Sequence, residues 1–239
     1  MNLPTPARAL AIGAHPDDVE FGCGATLAKW AGAGCEVSLL VCTDGSKGTW
    51  DPDADVADLV ALRQAEQRAA AAELGATGEV VFLGRTDGEL RSDDRSRAEV
   101  AAWIRQLRPE VLLGHDPWKR YRLHPDHRHA GWLCTDGVVA ARDPHFYPEQ
   151  PVPHHRPEAL LLFEADEPDH VEDVDGFVDA KLAALEQHRS QFVSTMGIDP
   201  DDAGEQLRSF RAAQRAETAA TGAGVGLAHG EAFRLVDDL

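Results

Sequence analysis

Cysteine is scarce in this sequence and forms no spaced motif. No two of the four cysteines make a C-x-x-C pair; they are Cys23, Cys35, Cys42 and Cys134. Two of them lie at the edge of an apolar run or within one, where a buried free thiol is the ordinary outcome. A glycine motif is missing as well, because Gly22 and Gly24 would need a third glycine at position 27, which is Leu. The absence of a complete G-x-G-x-x-G argues against a dinucleotide site.

Positive charge is also scarce. The chain has 23 Lys and Arg against 41 Asp and Glu, a formal net charge of −18 over 239 residues. Because binding to phosphate groups needs clustered positive charge, we expect no nucleic acid and no anionic membrane as a partner. No apolar run approaches the length that spans a membrane. The opening residues, MNLPTP, contain no apolar segment typical of a signal peptide, so we expect a cytoplasmic protein.

Short apolar runs alternate with segments of helical periodicity along the chain. The runs of strand length are 9–13, 36–43, 80–83, 111–114 and 159–163, with a further one at 231–236. The segments that predict helices are 25–31, 56–74, 95–107, 126–140 and 176–188. Gly75 and Pro109 are typical of the ends of such helices. Residues 197–226 are polar and irregular, and we expect either a helical lid or a loosely ordered arm there.

Repeated β-α-β units with continuously apolar strands predict a parallel sheet with helices on both faces. We therefore expect one α/β domain over residues 1–239. Its predicted fold is a Rossmann-like three-layer αβα sandwich with a mostly parallel sheet in the strand order 3-2-1-4-5. Sheets of this kind bind ligands beyond the carboxyl ends of their strands, where the strand order reverses. In this order the first and fourth strands are neighbours, so the loops that follow them meet.

Two clusters of histidines and carboxylates lie after those two strands. The first is AHPDDVEFG at 14–22, and the second is HPDH at 124–127. Unpaired charges are rarely buried, so a cation or a substrate is needed to account for such a cluster at the end of a buried strand. Together the clusters supply two or three imidazoles and several carboxylates. This is the ligand set of a catalytic zinc site with one open position.

The stretch AHPDDVEFGCGATLAK, followed by HPDH, resembles the LmbE-like or PIG-L deacetylase family. Further segments are similar to this family: RQAE at 63–66, LGRTDG at 83–88, the segment 181–191 and EAF at 231–233. Its members are zinc-dependent enzymes that remove the acetyl group from N-acetylglucosamine-type substrates. The resemblance implies a metal-dependent N-deacetylase, a hydrolase of a linear amide bond. Its partner would be a small amino-sugar derivative and its cofactor Zn2+, with Fe2+ as the alternative.

The resemblance also implies roles for individual residues. The implied metal ligands are His15, Asp18 and His127. Asp17 is implied as the general base that takes a proton from water, and His124 as the group that stabilises the oxyanion. From the chemistry alone, a protonated His124 suits that second role, and either Asp17 or His124 is able to protonate the leaving amine.

Further candidates lie around this centre. Arg63 and Asp87 resemble family positions that contact the sugar. Asp126 is suited to hold the tautomer of a histidine ligand or to raise its pKa. Some members carry a Tyr two residues before HPDH, where this chain has Arg122. The basic loop 118–122 either balances nearby carboxylates or grips a group beside the sugar, and the second hypothesis makes Arg122 a substrate contact.

Other chemistries fit parts of this pattern. Two histidines and one carboxylate are also the ligand set of non-haem iron oxygenases, which do not need Asp17 beside the metal. A metal-stabilised binding module would tolerate the loss of Asp17 and His124. A hydrolase of another amide, such as a glycopeptide antibiotic or a longer N-acyl group, would differ in the shape of its pocket. The sequence does not determine the oligomeric state, and a homo-oligomer is one of the alternatives.

Overall fold

A seven-stranded sheet forms the centre of the computed structural model, which describes residues 2–199, 201 and 203–239. The strands are β1 (Arg8–Gly13), β2 (Glu36–Thr43), β3 (Val80–Arg85), β4 (Val111–His115), β5 (Ala159–Phe163), β6 (His170–Asp173) and β7 (Gly230–Val236). They lie in the order β3-β2-β1-β4-β5-β7-β6. β1 to β5 are parallel, and β7 runs antiparallel to both of its neighbours. The predicted order 3-2-1-4-5 is confirmed.

Helices cover both faces of the sheet, as the apolar strands predict. They are α1 (Asp18–Gly32), α2 (Val56–Glu73), α3 (Asp94–Leu107), α4 (Pro125–Arg142), α5 (Val178–Leu185) and α6 (Ala203–Ala223). Successive strand residues face opposite sides: Leu10 packs with side chains of α3 and α4, and Ala11 packs with those of α1, α2 and α5. The predicted α/β sandwich is therefore confirmed.

The helix α1 begins at Asp18 rather than at Ala25, where the sequence predicts it. Glycines disfavour helix interiors, which is why the periodicity placed the start after Gly22 and Gly24. The structure shows what Gly22 allows instead: a Cβ at this position would lie 2.5 Å from Cδ2 of Phe163 in β5. Gly22 therefore lets α1 pass close to the sheet, although the helix is interrupted at Cys23, where φ is −152°.

The C-terminal part adds an antiparallel edge to the sheet. The predicted last strand is confirmed as β7, whereas β6 was not predicted, because HVED at 170–173 has no apolar run. Most of the segment 197–226 forms α6, a helix of 21 residues that packs against β7. None of the described helices combines the length and apolarity needed to cross a membrane.

Candidate metal-dependent active site

The two histidine clusters meet at the carboxyl edge of the sheet. β1 pairs directly with β4, so the turn after β1 lies beside the segment that leads from β4 into α4. This brings His15 against His127, although 112 residues separate them along the chain. The crevice lies where the strand order reverses, which is the usual position of a ligand site in such sheets.

His15, Asp18 and His127 form a compact triangle of potential ligand atoms. His15 Nδ1 lies 3.2 Å from His127 Nε2 and 3.3 Å from Asp18 Oδ2, and His127 Nε2 lies 3.4 Å from Asp18 Oδ1. Ligand atoms bound at roughly 2.0 Å to a tetrahedral zinc ion are about 3.3 Å apart. The observed distances are close to this spacing, but the two histidines contact different oxygens of Asp18, so binding of one ion through a single oxygen would need a small rotation of that carboxylate.

Two carboxylates orient the ring of His15. Its Nε2 lies 3.1 Å from Asp87 Oδ1 and 3.2 Å from Asp126 Oδ2. Because ionised carboxylates only accept hydrogen bonds, Nε2 carries a proton toward Asp87 and Asp126, and Nδ1 faces Asp18 in the same way. A cation that replaced the Nδ1 proton would leave Nδ1 as the ligating atom, with Nε2 still held by the two carboxylates. Burial alone would lower the pKa of His15, but hydrogen bonds to Asp126, Asp18 and Asp87 outweigh it and raise that pKa well above its usual value. The excess of carboxylates favours a bound cation.

Asp126 connects this centre to the loop after β3. Its fully buried carboxylate accepts hydrogen bonds from the backbone N–H groups of Gly88, at 2.6 Å, and Leu90, at 3.1 Å. Burial raises its pKa, but the hydrogen bonds from His15 and Gly88 prevail, so the pKa of Asp126 is lowered. Asp126 thus stays ionised while its carboxylate faces Nε2 of His15.

Asp17 lies beside the triangle in an unusual backbone conformation. Its φ is 111°, and its N–H donates to Gln67 Oε1 at 3.0 Å. Its carboxylate is buried, 3.7 Å from Arg63 Nη2. Burial raises the pKa of Asp17 to about 6, against the opposing effect of Arg63. A buried carboxylate with a pKa near neutrality is suited to general base chemistry.

Arg63 holds two loops together beneath the site. The guanidinium is buried, and it donates to the carbonyl oxygens of Pro16, at 2.6 Å, and Gly45, at 2.9 Å. It also borders the cavity beside the triangle. The family resemblance implies that Arg63 contacts the sugar; in the structure its hydrogen bonds go to these two backbone carbonyls, and its Nη2 lies near the Asp17 carboxylate.

His124 is the N-cap of α4. Its Nδ1 accepts a hydrogen bond from the N–H of Asp126 at 3.3 Å, so Nε2 carries the proton of the neutral ring. The ring centroid lies 4.6 Å from that of His15. Burial lowers the pKa of His124, and the nearby His15 lowers it further. These effects favour a neutral Nε2–H donor over the protonated ring expected from the sequence.

Comparison with known proteins supports the assignment of this centre to a family. The family model described as PIG-L, GlcNAc-PI de-N-acetylase, matches residues 10–137. This chain belongs to the PIG-L family. The resemblance recognised in the sequence is therefore confirmed, and the matched range contains all the candidate site residues named above.

The most informative PIG-L relatives carry the names of deacetylases. The chain is 35% identical over 188 residues to diacetylchitobiose deacetylase of Thermococcus kodakarensis, covering 77% of this chain and 70% of that protein. It is 35% identical over 172 residues to 1D-myo-inositol 2-acetamido-2-deoxy-α-D-glucopyranoside deacetylase of Streptomyces avermitilis, covering 61% and 58%. The expected class of enzyme, an N-deacetylase, agrees with these names.

A solved structure is similar over almost the whole chain. N,N′-diacetylchitobiose deacetylase of Pyrococcus horikoshii, in complex with an inhibitor, superposes with a TM-score of 0.85 at 30% sequence identity. The match covers 97% of this chain and 84% of that one. The similarity therefore extends beyond the range of the family model, into the part of the chain that contains the antiparallel C-terminal strands.

His115 and Glu164 extend the centre beyond the implied ligands. His115 Nε2 lies 3.2 Å from Asp18 Oδ2, and His115 Nδ1 lies 3.2 Å from Glu164 Oε2. Asp18, His115 and His127 also hold ligand atoms within 4.8 Å of one another, as do His15, His124 and His127. Neither His115 nor Glu164 is among the ligands that the family resemblance implies. Glu164 could have been predicted from its position directly after β5, because ligand sites in such sheets lie beyond the carboxyl ends of the strands.

The side chain of Arg122, which was proposed as a substrate contact, lies between Glu164 and His127. Its Nη2 is 3.1 Å from Glu164 Oε2, and its Nε donates to His127 Nδ1 at 2.9 Å. Burial, together with the charges of His115 and Arg122, lowers the pKa of His127 to about 3 against the opposing effect of Asp18. His127 is therefore neutral, as a metal ligand must be. Because its Nδ1 accepts from Arg122, the ring proton lies on Nε2, so ligation through Nε2 would require the proton to move to Nδ1 and Arg122 to release it.

Two cavities flank the triangle. One, of about 320 Å³, is bounded by the loop 47–50, by Asp87 and His124, and by Ser194. The other, of about 400 Å³, is bounded by α1, α6 and β7 and contains Arg122 and Glu164 in its wall. Asp17, Asp18 and His127 border both cavities. A substrate group in either cavity would reach the proposed base and ligands.

Proposed function

We propose that this PIG-L protein is a zinc-dependent hydrolase that removes the N-acetyl group from an N-acetylglucosamine-type amino sugar. The observation that carries the proposal is the triangle of His15, Asp18 and His127 with the buried carboxylate of Asp17 at its side. The names of the two curated relatives describe substrates that share an acetylated glucosamine unit. A cavity of about 320 Å³ next to the triangle has the size typical of a small-ligand site.

The donor set fits zinc chemically as well as geometrically. Two neutral imidazoles and one carboxylate are a common set of catalytic zinc ligands. When bound, the ion supplies Lewis acidity toward the amide carbonyl and lowers the pKa of a coordinated water to about 7. Asp126 and Asp87 would hold His15 in its ligating tautomer, and His115 would orient Asp18.

Asp17 is the proposed general base. It follows Pro16 in a turn that Arg63 and Gln67 support from below, so its carboxylate is held next to the triangle. With a pKa of about 6, most of this carboxylate is ionised at neutral pH. It would accept the proton of the attacking water and then be the nearest acid for the leaving amine.

His124 is the proposed oxyanion donor. Its Nδ1 is occupied by the N–H of Asp126, so Nε2–H is free to donate to the oxygen of the former carbonyl. A donor of this kind typically contributes about 3 kcal/mol to transition-state stabilisation. The negative charge on that oxygen develops only during the reaction, so the contribution appears in kcat.

The proposal is tested by measuring acetate and free amine released from N-acetylglucosamine and N-acetylated disaccharides by zinc-loaded protein. We expect Asp17→Asn to retain zinc but to lose nearly all turnover, and His124→Gln to lose about two orders of magnitude in kcat. Asp58→Asn, an exposed carboxylate on α2, is the control and should behave as wild type.

Two results would contradict this proposal. Near-normal turnover by Asp17→Asn with full zinc occupancy would remove Asp17 as the base. Oxygen consumption by Fe2+-loaded protein, with no acetate release from any substrate under either metal, would favour the iron oxygenase alternative. Release of a longer acyl group in preference to acetate would keep the chemistry but change the substrate class.

A further inference from the structure

Trp50 is an exposed aromatic residue at the rim of the cavity beside the triangle. Its side chain is 77% exposed, and it borders that cavity together with Thr49 and Ser194. The same three residues also border a smaller cavity of about 180 Å³. The two cavities are therefore adjacent, with Trp50 between the one that contains the proposed metal site and the smaller one.

The smaller cavity has the composition of a site for a neutral polyol. Trp50 and the half-exposed Val193 supply apolar surface, and hydroxyl groups come from Thr49, Ser190 and Ser194. Asp51 is the single ionisable residue among the described residues that line it. An anionic group such as a phosphate would find no positive partner there. Hydroxyl groups would find acceptors in Asp51 and in the oxygens of Ser190 and Ser194, whose own protons go to Glu66 and to the Gly48 carbonyl, and a donor in the Thr49 hydroxyl.

The loop that carries Trp50 is held in place from both sides. The Gly48 carbonyl accepts hydrogen bonds from Gln191 Nε2, at 3.0 Å, and Ser194 Oγ, at 3.2 Å. A Cβ at Gly48 would overlap the guanidinium of Arg63, so the loop packs directly against that group. The loop that carries the indole is therefore already anchored, so ligand binding would cost little entropy for ordering this loop.

We propose that Trp50 and the smaller cavity form a second subsite, which takes a hydroxylated six-membered ring joined to the acetamido sugar. Such a ring has a face of C–H groups that lies flat on an indole and a rim of hydroxyls that reaches Thr49, Ser190 and Ser194. The subsite rests on the proposed function, because the acetamido sugar must lie over the triangle for the next ring to reach Trp50.

Substitutions of Trp50 test the subsite. We compare kcat/KM for N-acetylglucosamine, for N,N′-diacetylchitobiose and for the N-acetylglucosaminyl derivative of myo-inositol. Trp50→Ala should lower kcat/KM for the two-ring substrates by about tenfold, equivalent to about 1.4 kcal/mol, and for the one-ring substrate by about twofold or less. Trp50→Phe keeps a flat face and should recover most of the loss. A larger loss of kcat/KM for N,N′-diacetylchitobiose would identify the second ring as a pyranose, and a larger loss for the inositol derivative would identify it as an inositol.

The control variant is Trp118→Ala. Trp118 is also exposed, at 59%, but it packs edge-on against Trp132 and borders a different cavity. It should leave the ratio between two-ring and one-ring substrates unchanged. An equal loss by Trp50→Ala on all substrates, or the same selective loss in Trp118→Ala, would overturn the subsite.

A binding measurement separates this inference from the proposed function. Titration calorimetry with N,N′-diacetylchitobiose and with the inositol derivative, in zinc-loaded Asp17→Asn protein, needs no turnover. If adding Trp50→Ala weakens the binding of either ligand, the subsite is supported. This holds even if the wild-type protein releases no acetate; that result would contradict only the proposed function. Unchanged binding of both overturns the subsite even if acetate is released.

Discussion

At the scale of single residues, Gln67 joins the proposed base to a buried carboxylate. Its Oε1 accepts the N–H of Asp17 at 3.0 Å, and its Nε2 donates to Glu20 Oε1 at 2.6 Å. The amide has one possible orientation, because a backbone N–H only donates and a carboxylate only accepts. Gln67 thereby holds Asp17 in the left-handed region at φ 111°, which costs free energy for a residue other than glycine.

Replacing this amide tests its positioning role. Gln67→Met keeps the shape of the side chain but removes both hydrogen bonds, which should destabilise the protein by about 1–3 kcal/mol. If Asp17 is the base, kcat should fall while KM and zinc content stay near wild type. Gln64→Met, on the same helix, is the control. A loss of stability with unchanged kcat would contradict the positioning role and show that Gln67 only stabilises the fold.

At the scale of secondary-structure elements, the packing of α1 against β5 sets the position of Asp18. A Cβ at Gly22 would lie 2.5 Å from the buried ring of Phe163, whereas one at Gly32, on the same helix, would lie 3.6 Å from Phe177 Cε1. The first distance is a steric conflict inside a packed core, and the second is ordinary contact. Glycine is thus required at one end of α1 and only tolerated at the other.

We expect these two positions to respond to alanine with opposite signs. Gly22→Ala should destabilise the protein by about 1–3 kcal/mol through overpacking, and it should weaken zinc binding because α1 carries Asp18. Gly32→Ala should stabilise the protein by up to about 1 kcal/mol through helix propensity. Urea unfolding of both variants measures the difference. Equal stability of the two would show that α1 shifts freely over the sheet.

The elements differ in how far the sequence predicts them. β2 and β5 match their predicted bounds because their apolar runs are continuous and end at turn residues. α1 was placed too late because glycine is unfavourable for helix formation, and only the contact with the distant Phe163 explains why Gly22 is there. β6 was missed because an edge strand needs little apolar surface. A local pattern carries no information about contacts such as these.

At the scale of the whole molecule, the proposed site is a product of sheet topology. His15 follows β1 and His127 lies on the helix after β4, and the adjacency of these strands brings the two rings together. The sequence motifs led to the implied ligands and the proposed base through the family resemblance. They were not sufficient for Gln67, Glu164 or Trp50, because these residues acquire their places through contacts between segments far apart in the chain.

The most direct test of the account is the position of the metal. Anomalous diffraction at the zinc edge, from crystals of zinc-loaded protein, should show one peak within about 2.1 Å of His15 Nδ1, His127 Nε2 and a carboxylate oxygen of Asp18. Asp17 should lie beside the peak without binding it. A peak held instead by His15, Asp87, His124 and Asp126, which also place ligand atoms within 4.8 Å of one another, would contradict the proposed centre, since it would make the proposed oxyanion donor a ligand.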